Sequence, residues 1–252
     1  MLPKSVRAAA ACAALLLTTS LTGCAGAQAG QTARIVDAQG PSLPLPGGVK
    51  AAAWVDLFAG GPSKHWRGYK QDTLPSAWAY DAATNTITRT RFGGDIVTRQ
   101  QYADFEFEIE WKVIPGGNSG IFYHATEGTA VIYENAPEMQ VLDNQRHNDG
   151  KNTLTSAGAN YGLNAPARDV TRPVGEWNRA RVVVIGSHVE HWLNGEKLLE
   201  YELWTPEWTE KVSKTKFAQW PTYGLARRGH IGLQEHGDLI HFRHARVREL
   251  SR

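Results

Sequence analysis

Short segments in which apolar and polar residues alternate recur along this chain from about residue 52 onward. Phe105–Val113, Glu138–Leu142 and Ile240–Val247 are three of them. A period of two, in segments rich in Val, Ile, Phe, Tyr and Trp, is typical of β-strands with one buried face. Asn194-Gly195 lies between two such segments and is the turn that a two-residue hairpin prefers. Because no long amphipathic helix is predicted, the pattern indicates an all-β sandwich, jelly roll or barrel.

The N-terminus predicts an exported lipoprotein. Lys4 and Arg7 precede an apolar run over Ala8–Leu17, which is too short to span a bilayer as a helix. Leu21-Thr22-Gly23-Cys24 then matches a lipobox, so we expect cleavage to leave Cys24 as an acylated N-terminus. An ordinary signal peptide cut a few residues later is the alternative. Acylation of Cys24 predicts a lipid anchor to a membrane and a place in the cell envelope, periplasmic or surface-facing.

The chain then divides into three predicted regions. Residues 1–23 are the lipoprotein signal peptide, residues 24–50 a flexible tether, and residues 51–252 a single folded domain. Loss of the signal leaves 25 of the 27 basic residues, which balance the 25 acidic ones. A neutral domain without a basic stripe is not expected to bind nucleic acid. The oligomeric state is not predicted by the sequence.

Cysteine chemistry is not expected in the mature chain. The sequence has two cysteines, of which Cys12 is removed with the signal and Cys24 is acylated. Disulfides, zinc thiolate sites and cysteine nucleophiles are therefore excluded from the predictions.

Polar side chains occur on strand faces where they indicate either a solvated surface or a binding groove. Alternation places Glu138 and Gln140 on one face of a strand whose other face carries Met139 and Val141. An antiparallel sandwich always has solvated outer faces, so a plain surface is the alternative interpretation.

Two further segments show the same arrangement. Gln234 and His236 share one face, and Asn118 shares a face with His124. Amides, imidazoles and a carboxylate on one surface predict binding of a hydroxyl-rich ligand. Long loops over residues 144–175 and 204–223 are a further indication of function.

Aromatic residues in the second of these loops are compatible with carbohydrate binding. Trp204, Trp208 and Trp220 all lie there, and indole rings stack on the apolar C–H faces of sugars. Packing in the interior is the alternative for each of them. No cofactor is firmly implied. Glu138, Asp143, His124 and His236 would have to converge to bind a divalent metal, and no local spacing enforces this.

Several ordered motifs resemble the bacterial 3-keto-disaccharide hydrolase domain family, from Trp54 to Leu250. They are Gly93-Gly94-Asp95-Ile96-Val97-Thr98, Pro115-Gly116-Gly117-Asn118-Ser119-Gly120-Ile121-Phe122, Glu138-Met139-Gln140-Val141-Leu142-Asp143-Asn144, Gly158-Ala159-Asn160-Tyr161-Gly162-Leu163, Pro173-Val174-Gly175-Glu176-Trp177-Asn178, His191-Trp192-Leu193-Asn194-Gly195 and Gly229-His230-Ile231-Gly232-Leu233-Gln234-Glu235-His236-Gly237. Two small departures are Thr215-Lys216-Phe217, where the family usually has Ser-Lys-Phe, and Gln234-Glu235-His236, where it usually has Gln-Asp-His.

The resemblance implies a concanavalin A-like jelly-roll sandwich of two curved antiparallel sheets. It also implies cleavage of glycosides or disaccharides that carry a ketone at C3 of the sugar. Such a ketone acidifies the C2–H bond, so a base can form an enolate that expels the C1 substituent, with or without later addition of water. A non-catalytic, lectin-like carbohydrate-binding lipoprotein and a conventional glycoside hydrolase are the alternatives.

This chemistry assigns roles to the polar residues named above. The catalytic candidates are His236, His124, Glu138 and Lys216: either histidine is a candidate base, Glu138 a candidate base or acid, and Lys216 the group over the enolate oxygen. The candidates for binding the oxidised saccharide are Asn118, Gln140, Asp143, Tyr161, Gln234 and Trp220, of which Tyr161 is also a candidate donor to the leaving group.

Overall fold

The computed structural model describes residues 44–252. Cys24, the predicted lipobox and the predicted signal peptide lie outside this range. Within it, no helix combines the length and the apolar character needed to cross a membrane. The elements are β1 (Lys50–Ala51), β2 (Val55–Asp56), β3 (Trp66–Gly68), β4 (Trp78–Asp81), β5 (Thr86–Arg89), β6 (Ile96–Thr98), β7 (Phe105–Val113), β8 (Asn118–Ala125), β9 (Glu138–Leu142), β10 (Asn178–Ile185), β11 (His188–Leu193), β12 (Glu196–Glu202), α1 (Pro206–Ser213), β13 (His230–Leu233) and β14 (Ile240–Ser251), with short 3-10 turns between some of them.

The strands form two antiparallel sheets. The larger sheet has the order β12-β11-β10-β7-β14-β5-β4, with β1 and β2 also paired to β14. The smaller sheet has the order β3-β6-β13-β8-β9. One core is filled by the inner faces of both sheets, including Phe107, Trp111, Val182 and Phe242 from the larger and Ile121, Met139, Val141 and Leu233 from the smaller. The predicted all-β fold, a concanavalin A-like jelly-roll sandwich, is confirmed.

The first described residues already belong to this folded unit. Leu45 and Val49 pack against Val183, Ile185 and Leu250, and β1 pairs with the end of β14. The last part of the predicted tether therefore contacts the larger sheet.

The outer face of the larger sheet is held by buried ion pairs. Glu106 of β7 is fully buried and contacts Arg181 of β10 and Arg248 of β14. Glu108, two residues further along β7, is likewise paired with Arg179 of β10 and Arg246 of β14. Since a buried negative charge is tolerated only when it is paired, these ion pairs belong to the fold.

The alternation of side chains between the two faces of the sheet is interrupted near the end of β8. His230 of β13 pairs with Ala125, whereas Gly232 pairs with Phe122, so β8 contains one extra residue at this point. At this point His124 has a left-handed backbone conformation, with a φ of 52°. The bulge turns His124 away from the face that carries Asn118.

Two long connections lie beside the smaller sheet, as the predicted loop lengths suggested. The first carries short 3-10 turns at Asn148–Lys151 and Thr153–Thr155. The second contains α1, whose N-cap Thr205 accepts the Trp208 N–H with its side chain, and a 3-10 turn at Lys216–Gln219. These loops bring Asp149, Tyr161 and Lys216 to the sheet surface.

Candidate functional site

An open cavity of about 120 Å³ lies on the outer face of the smaller sheet, between the two long loops. Seven of the residues predicted from the sequence line it, and three others complete it. The predicted ones are Asn118, Glu138, Gln140, Tyr161, Lys216, Gln234 and His236; the additional ones are Tyr133, Asp149 and Phe217.

The register of the strands places the polar residues side by side. Gly120 of β8 pairs with Gln140 of β9, and the Gln234 amide donates to the Gly120 carbonyl at 3.0 Å. Gly120 leaves open the space that the Glu138 side chain fills: a Cβ atom at Gly120 would lie 2.6 Å from the Glu138 Cδ. Glycine at this position therefore permits the carboxyl group to lie across β8.

Glu138 is the central group of the cavity. It is 6% exposed, and its carboxyl forms no hydrogen bond with any residue that the structure describes. Burial raises its pKa to about 8; the positive charge of Lys216 opposes this shift, and the charges of Asp95 and Asp149 add to it. A buried, unpaired carboxyl that faces a cavity is typical of a catalytic acid or base.

The stability of the fold should depend on pH through Glu138. Between pH 4.5 and 8 the folded state keeps this carboxyl protonated while the unfolded state ionises it, so the free energy of unfolding falls as the pH rises. We expect Glu138→Gln to match the wild type in urea unfolding at pH 5 and to exceed it by about 4 kcal/mol at pH 8.5. An equal difference at both pH values would contradict the raised pKa.

Lys216 lies among aromatic rings beside Glu138. Its Nζ atom is 4.5 Å from the centre of the Tyr161 ring, 5.3 Å from that of Phe217 and 5.7 Å from that of Tyr133. Aromatic faces attract an ammonium group and limit its positions. Lys216 thus supplies a positive charge on one side of the cavity.

Tyr161 is oriented by the first long loop. Its hydroxyl donates to Asp149 Oδ2 at 3.2 Å. Burial, together with the charges of Asp149 and Glu138, raises its pKa to about 12. Tyr161 therefore remains protonated and acts as a hydrogen-bond donor at neutral pH.

His147, which the sequence did not indicate, orients Asn118. Its Nδ1 accepts the Asp149 backbone N–H at 3.1 Å, so the proton resides on Nε2. Nε2 lies 3.5 Å from Asn118 Nδ2, and Asn118 Oδ1 is buried without a hydrogen-bond partner among the described residues. Exchanging the oxygen and nitrogen of the amide lets Oδ1 accept from His147 Nε2, so that His147 fixes Asn118 in the wall of the cavity.

His236 lies at the mouth of the cavity. Its side chain is 46% exposed, and its Nδ1 is 3.8 Å from Asp238 Oδ2. The ring also meets that of His147 edge-on, with 6.0 Å between the centres. This exposed imidazole is accessible both to solvent and to a ligand in the cavity.

Gln140 and Gln234 differ in their freedom to bind a ligand. The Gln140 Nε2 donates to the Thr155 carbonyl at 3.2 Å, and its Oε1 accepts the Val141 N–H. Gln140 therefore mainly anchors the first long loop. Gln234 is half-buried and lines the cavity with its side chain.

Three predicted site residues lie outside the cavity. His124 is buried between Phe105 and Trp204, with Nε2 2.7 Å from the Ala103 carbonyl. The β-bulge described above is the reason, and the expectation that His124 shares a face with Asn118 is wrong.

Asp143 and Trp220 are the other two predicted residues that do not line the cavity. Asp143 accepts the N–H groups of Gly116 and Gln145, at 2.8 and 3.0 Å. Burial raises its pKa, but these hydrogen bonds outweigh burial and the pKa is lowered. Trp220 packs edge-on against Tyr133 at 5.5 Å and does not reach the cavity.

The four residues considered for a divalent metal are not brought together, because His124 and Asp143 lie elsewhere. Among the described residues, a different group places possible ligand atoms within 4.8 Å of one another: His188, Glu190 and Glu200. This group is on the larger sheet, and Lys197 Nζ lies 2.6 Å from Glu200 Oε2 within it. Lys197 therefore already supplies a positive charge to this group of carboxylates.

Comparisons with known proteins identify the family of this chain. Residues 53–248 match the 3-keto-alpha-glucoside-1,2-lyase-like domain family. A 3-keto-disaccharide hydrolase of Bacteroides thetaiotaomicron is 37% identical over 240 residues, which cover 83% of this chain and 82% of that protein.

Solved structures show the same relationship. A Parabacteroides distasonis protein, described provisionally as a glycosyl hydrolase, is 29% identical with a TM-score of 0.71, covering 79% of this chain and 94% of the other. A second structure from that organism is also 29% identical, with a TM-score of 0.62, covering 79% of this chain and 100% of the other. The family and the enzyme class predicted from the motifs, a glycoside hydrolase or lyase, are confirmed. Since the match spans nearly all of the described domain, the chain belongs to the 3-keto-alpha-glucoside-1,2-lyase-like domain family.

Proposed function

We propose that this protein cleaves the glycosidic bond of saccharides that carry a ketone at C3, by removal of the C2 proton and elimination of the C1 substituent. The observation that carries the proposal is the unpaired, buried carboxyl of Glu138 beside the ammonium group of Lys216. The named activity of the Bacteroides relative supports the substrate class.

Glu138 acts as the base in this proposal. Its raised pKa makes its ionised form a stronger base than an ordinary carboxylate, which favours removal of a C–H proton. The C2–H electron pair then forms the C2=C3 double bond, and negative charge develops on the former ketone oxygen. The ammonium group of Lys216 stabilises that oxygen.

The second step expels the leaving group. The enolate re-forms the C3 ketone, C1=C2 becomes the double bond, and the C1–O bond breaks. His236 donates a proton to the departing oxygen, because it lies at the mouth of the cavity where the leaving group emerges. Addition of water, with OH at C1 and H at C2, would complete a net hydrolysis.

The experiment that tests the function compares 3-keto-trehalose with trehalose in D₂O, with and without a chelator, followed by NMR. We expect cleavage of the oxidised sugar alone, with deuterium at C2 of any hydrated product. Cleavage of unmodified trehalose would instead indicate a conventional glycosidase, and binding without cleavage would indicate a lectin-like protein. Loss of activity with the chelator would add a metal to the mechanism.

The pH dependence of kcat/KM separates a base from an acid at Glu138. A base must be ionised, so kcat/KM for 3-keto-trehalose should rise with pH as Glu138 ionises, along a limb that ends near pH 8 and is absent in Glu138→Gln. A descending limb near pH 8 that Glu138→Gln removes would instead assign the protonated carboxyl as the acid and reverse the proposed roles of Glu138 and His236.

We further propose that acylated Cys24 anchors the enzyme in the cell envelope, as the lipobox indicates. We expect Cys24→Ser to move the protein from the membrane fraction to the soluble fraction of its host, since the acyl chains provide the anchor. Cys12→Ser, within the predicted signal, is the matched control and should leave the wild-type distribution. Retention of the Cys24→Ser variant in the membrane fraction would contradict the proposal.

A further inference from the structure

The Gly93-Gly94-Asp95 segment is a motif that the cavity does not use. Asp95 immediately precedes β6, and Ile96 of β6 pairs with Leu233 of β13. Both Ile96 and Leu233 point into the core. Since side chains alternate along a strand, Asp95 and its neighbour Gln234 lie together on the opposite face, which is the face of the cavity.

These residues extend a polar row across the smaller sheet. Gln140, Gly120 and Gln234 lie side by side on β9, on β8 and at the end of β13, and Asp95 follows at the start of β6. Adjacent strands are about 4.8 Å apart, so Asp95 lies about 10 Å from the strand over which the Glu138 carboxyl is placed. This is the length scale of two linked sugar rings.

The first long loop covers the β9 end of this row, and Asp95 at the other end is partly exposed. Gln140 is held by the Thr155 carbonyl of the first long loop, which covers that end. The cavity at Glu138, of about 120 Å³, is on the scale of one sugar ring. A second ring of the same substrate therefore has to extend along the sheet toward Gln234 and Asp95.

Asp95 is held firmly as a hydrogen-bond acceptor. Gly94 has a φ of 79°, and its carbonyl accepts the Trp78 indole N–H at 2.9 Å. Asp95 Oδ1 accepts the Glu235 N–H at 2.8 Å, and its Oδ2 bonds to none of the described residues. Burial raises the pKa of Asp95 to about 6, so the carboxylate is mostly ionised at neutral pH.

We propose that Asp95 binds a hydroxyl group of the sugar that leaves, so that the site is built for oxidised disaccharides rather than for glycosides with a non-sugar leaving group. The inference rests on the proposed function, because it assumes that the ketone-bearing ring occupies the cavity at Glu138. Asp95 then contributes to the binding of the second ring and takes no part in proton transfer.

The test compares two substrates in one variant. Asp95→Asn keeps an oxygen for the Glu235 N–H but removes the charge. We expect it to lower kcat/KM for 3-keto-trehalose by about tenfold, while kcat/KM for p-nitrophenyl 3-keto-glucoside changes less than about twofold. Any effect of Asp95 on the Glu138 pKa acts on both substrates and cancels in their ratio. Asp81→Asn, an exposed aspartate of the other sheet, is the matched control.

A binding measurement keeps this inference separate from the proposed reaction. Calorimetric titration with unoxidised trehalose needs no turnover, and Asp95→Asn should weaken this binding by about tenfold as well. Equal loss on both substrates, or unchanged binding of trehalose, would overturn the second-ring site. Failure of the wild type to cleave either oxidised substrate would refute the proposed function, while the titration would still decide the role of Asp95.

Discussion

Replacement of Glu138 by Gln is expected to lower kcat/KM for 3-keto-trehalose by about 10³-fold, because a positioned general base contributes a factor of this order. The amide has the size of the carboxyl and fills the same space over Gly120, so the cavity should keep its shape. Steady-state kinetics at pH 8 measure the loss. Glu210→Gln, which changes an exposed glutamate of α1 paired with Lys214, should retain wild-type activity.

Exchange of the C2 proton shows which step Glu138 catalyses. In D₂O, the wild type should place deuterium at C2 of unreacted substrate whenever the enolate returns to the ketone. A variant without the base should lose this exchange together with cleavage. If Glu138→Gln still exchanged C2–H but no longer released the leaving sugar, the carboxyl would be the acid of the second step.

The sequence predicted those parts of the site that depend on regular strands. Glu138 and Gln140 alternate with Met139 and Val141 in β9, and the structure keeps this alternation through the whole strand. The same rule failed at His124, because an extra residue in β8 changes the side from which the next side chain emerges. No residue type near His124 signals the bulge.

Loop residues show the second limit of prediction from sequence. Lys216 was identified through its motif, and Phe217 stands beside it in the same motif. Asp149 and Tyr133 have no periodic signal, since they lie in the irregular connections before and after β9. Asp143 was expected to bind substrate, but backbone N–H groups next to it satisfy its carboxylate first.

Gly120→Ala is expected to lower kcat/KM by about 100-fold without unfolding the protein, because a small displacement of a catalytic group has an effect of this order. The new methyl group would overlap the Glu138 carboxyl and force it out of its position. The backbone of Gly120 is in a region that alanine adopts freely, so the melting temperature should change little. Kinetics with 3-keto-trehalose and thermal unfolding measure both effects.

Two comparisons show whether Gly120 acts through Glu138. Gly128→Ala adds the same methyl group at a position where, apart from its two chain neighbours, none of the described residues has an atom within 4 Å, and it should leave activity unchanged. Gly120→Ala introduced into the Glu138→Gln variant should cost little further activity, since the carboxyl that it displaces is already absent. An equal loss in both backgrounds would mean that Gly120 affects the substrate directly. Non-additive loss would instead identify the bare backbone of β8 as the feature that positions the base.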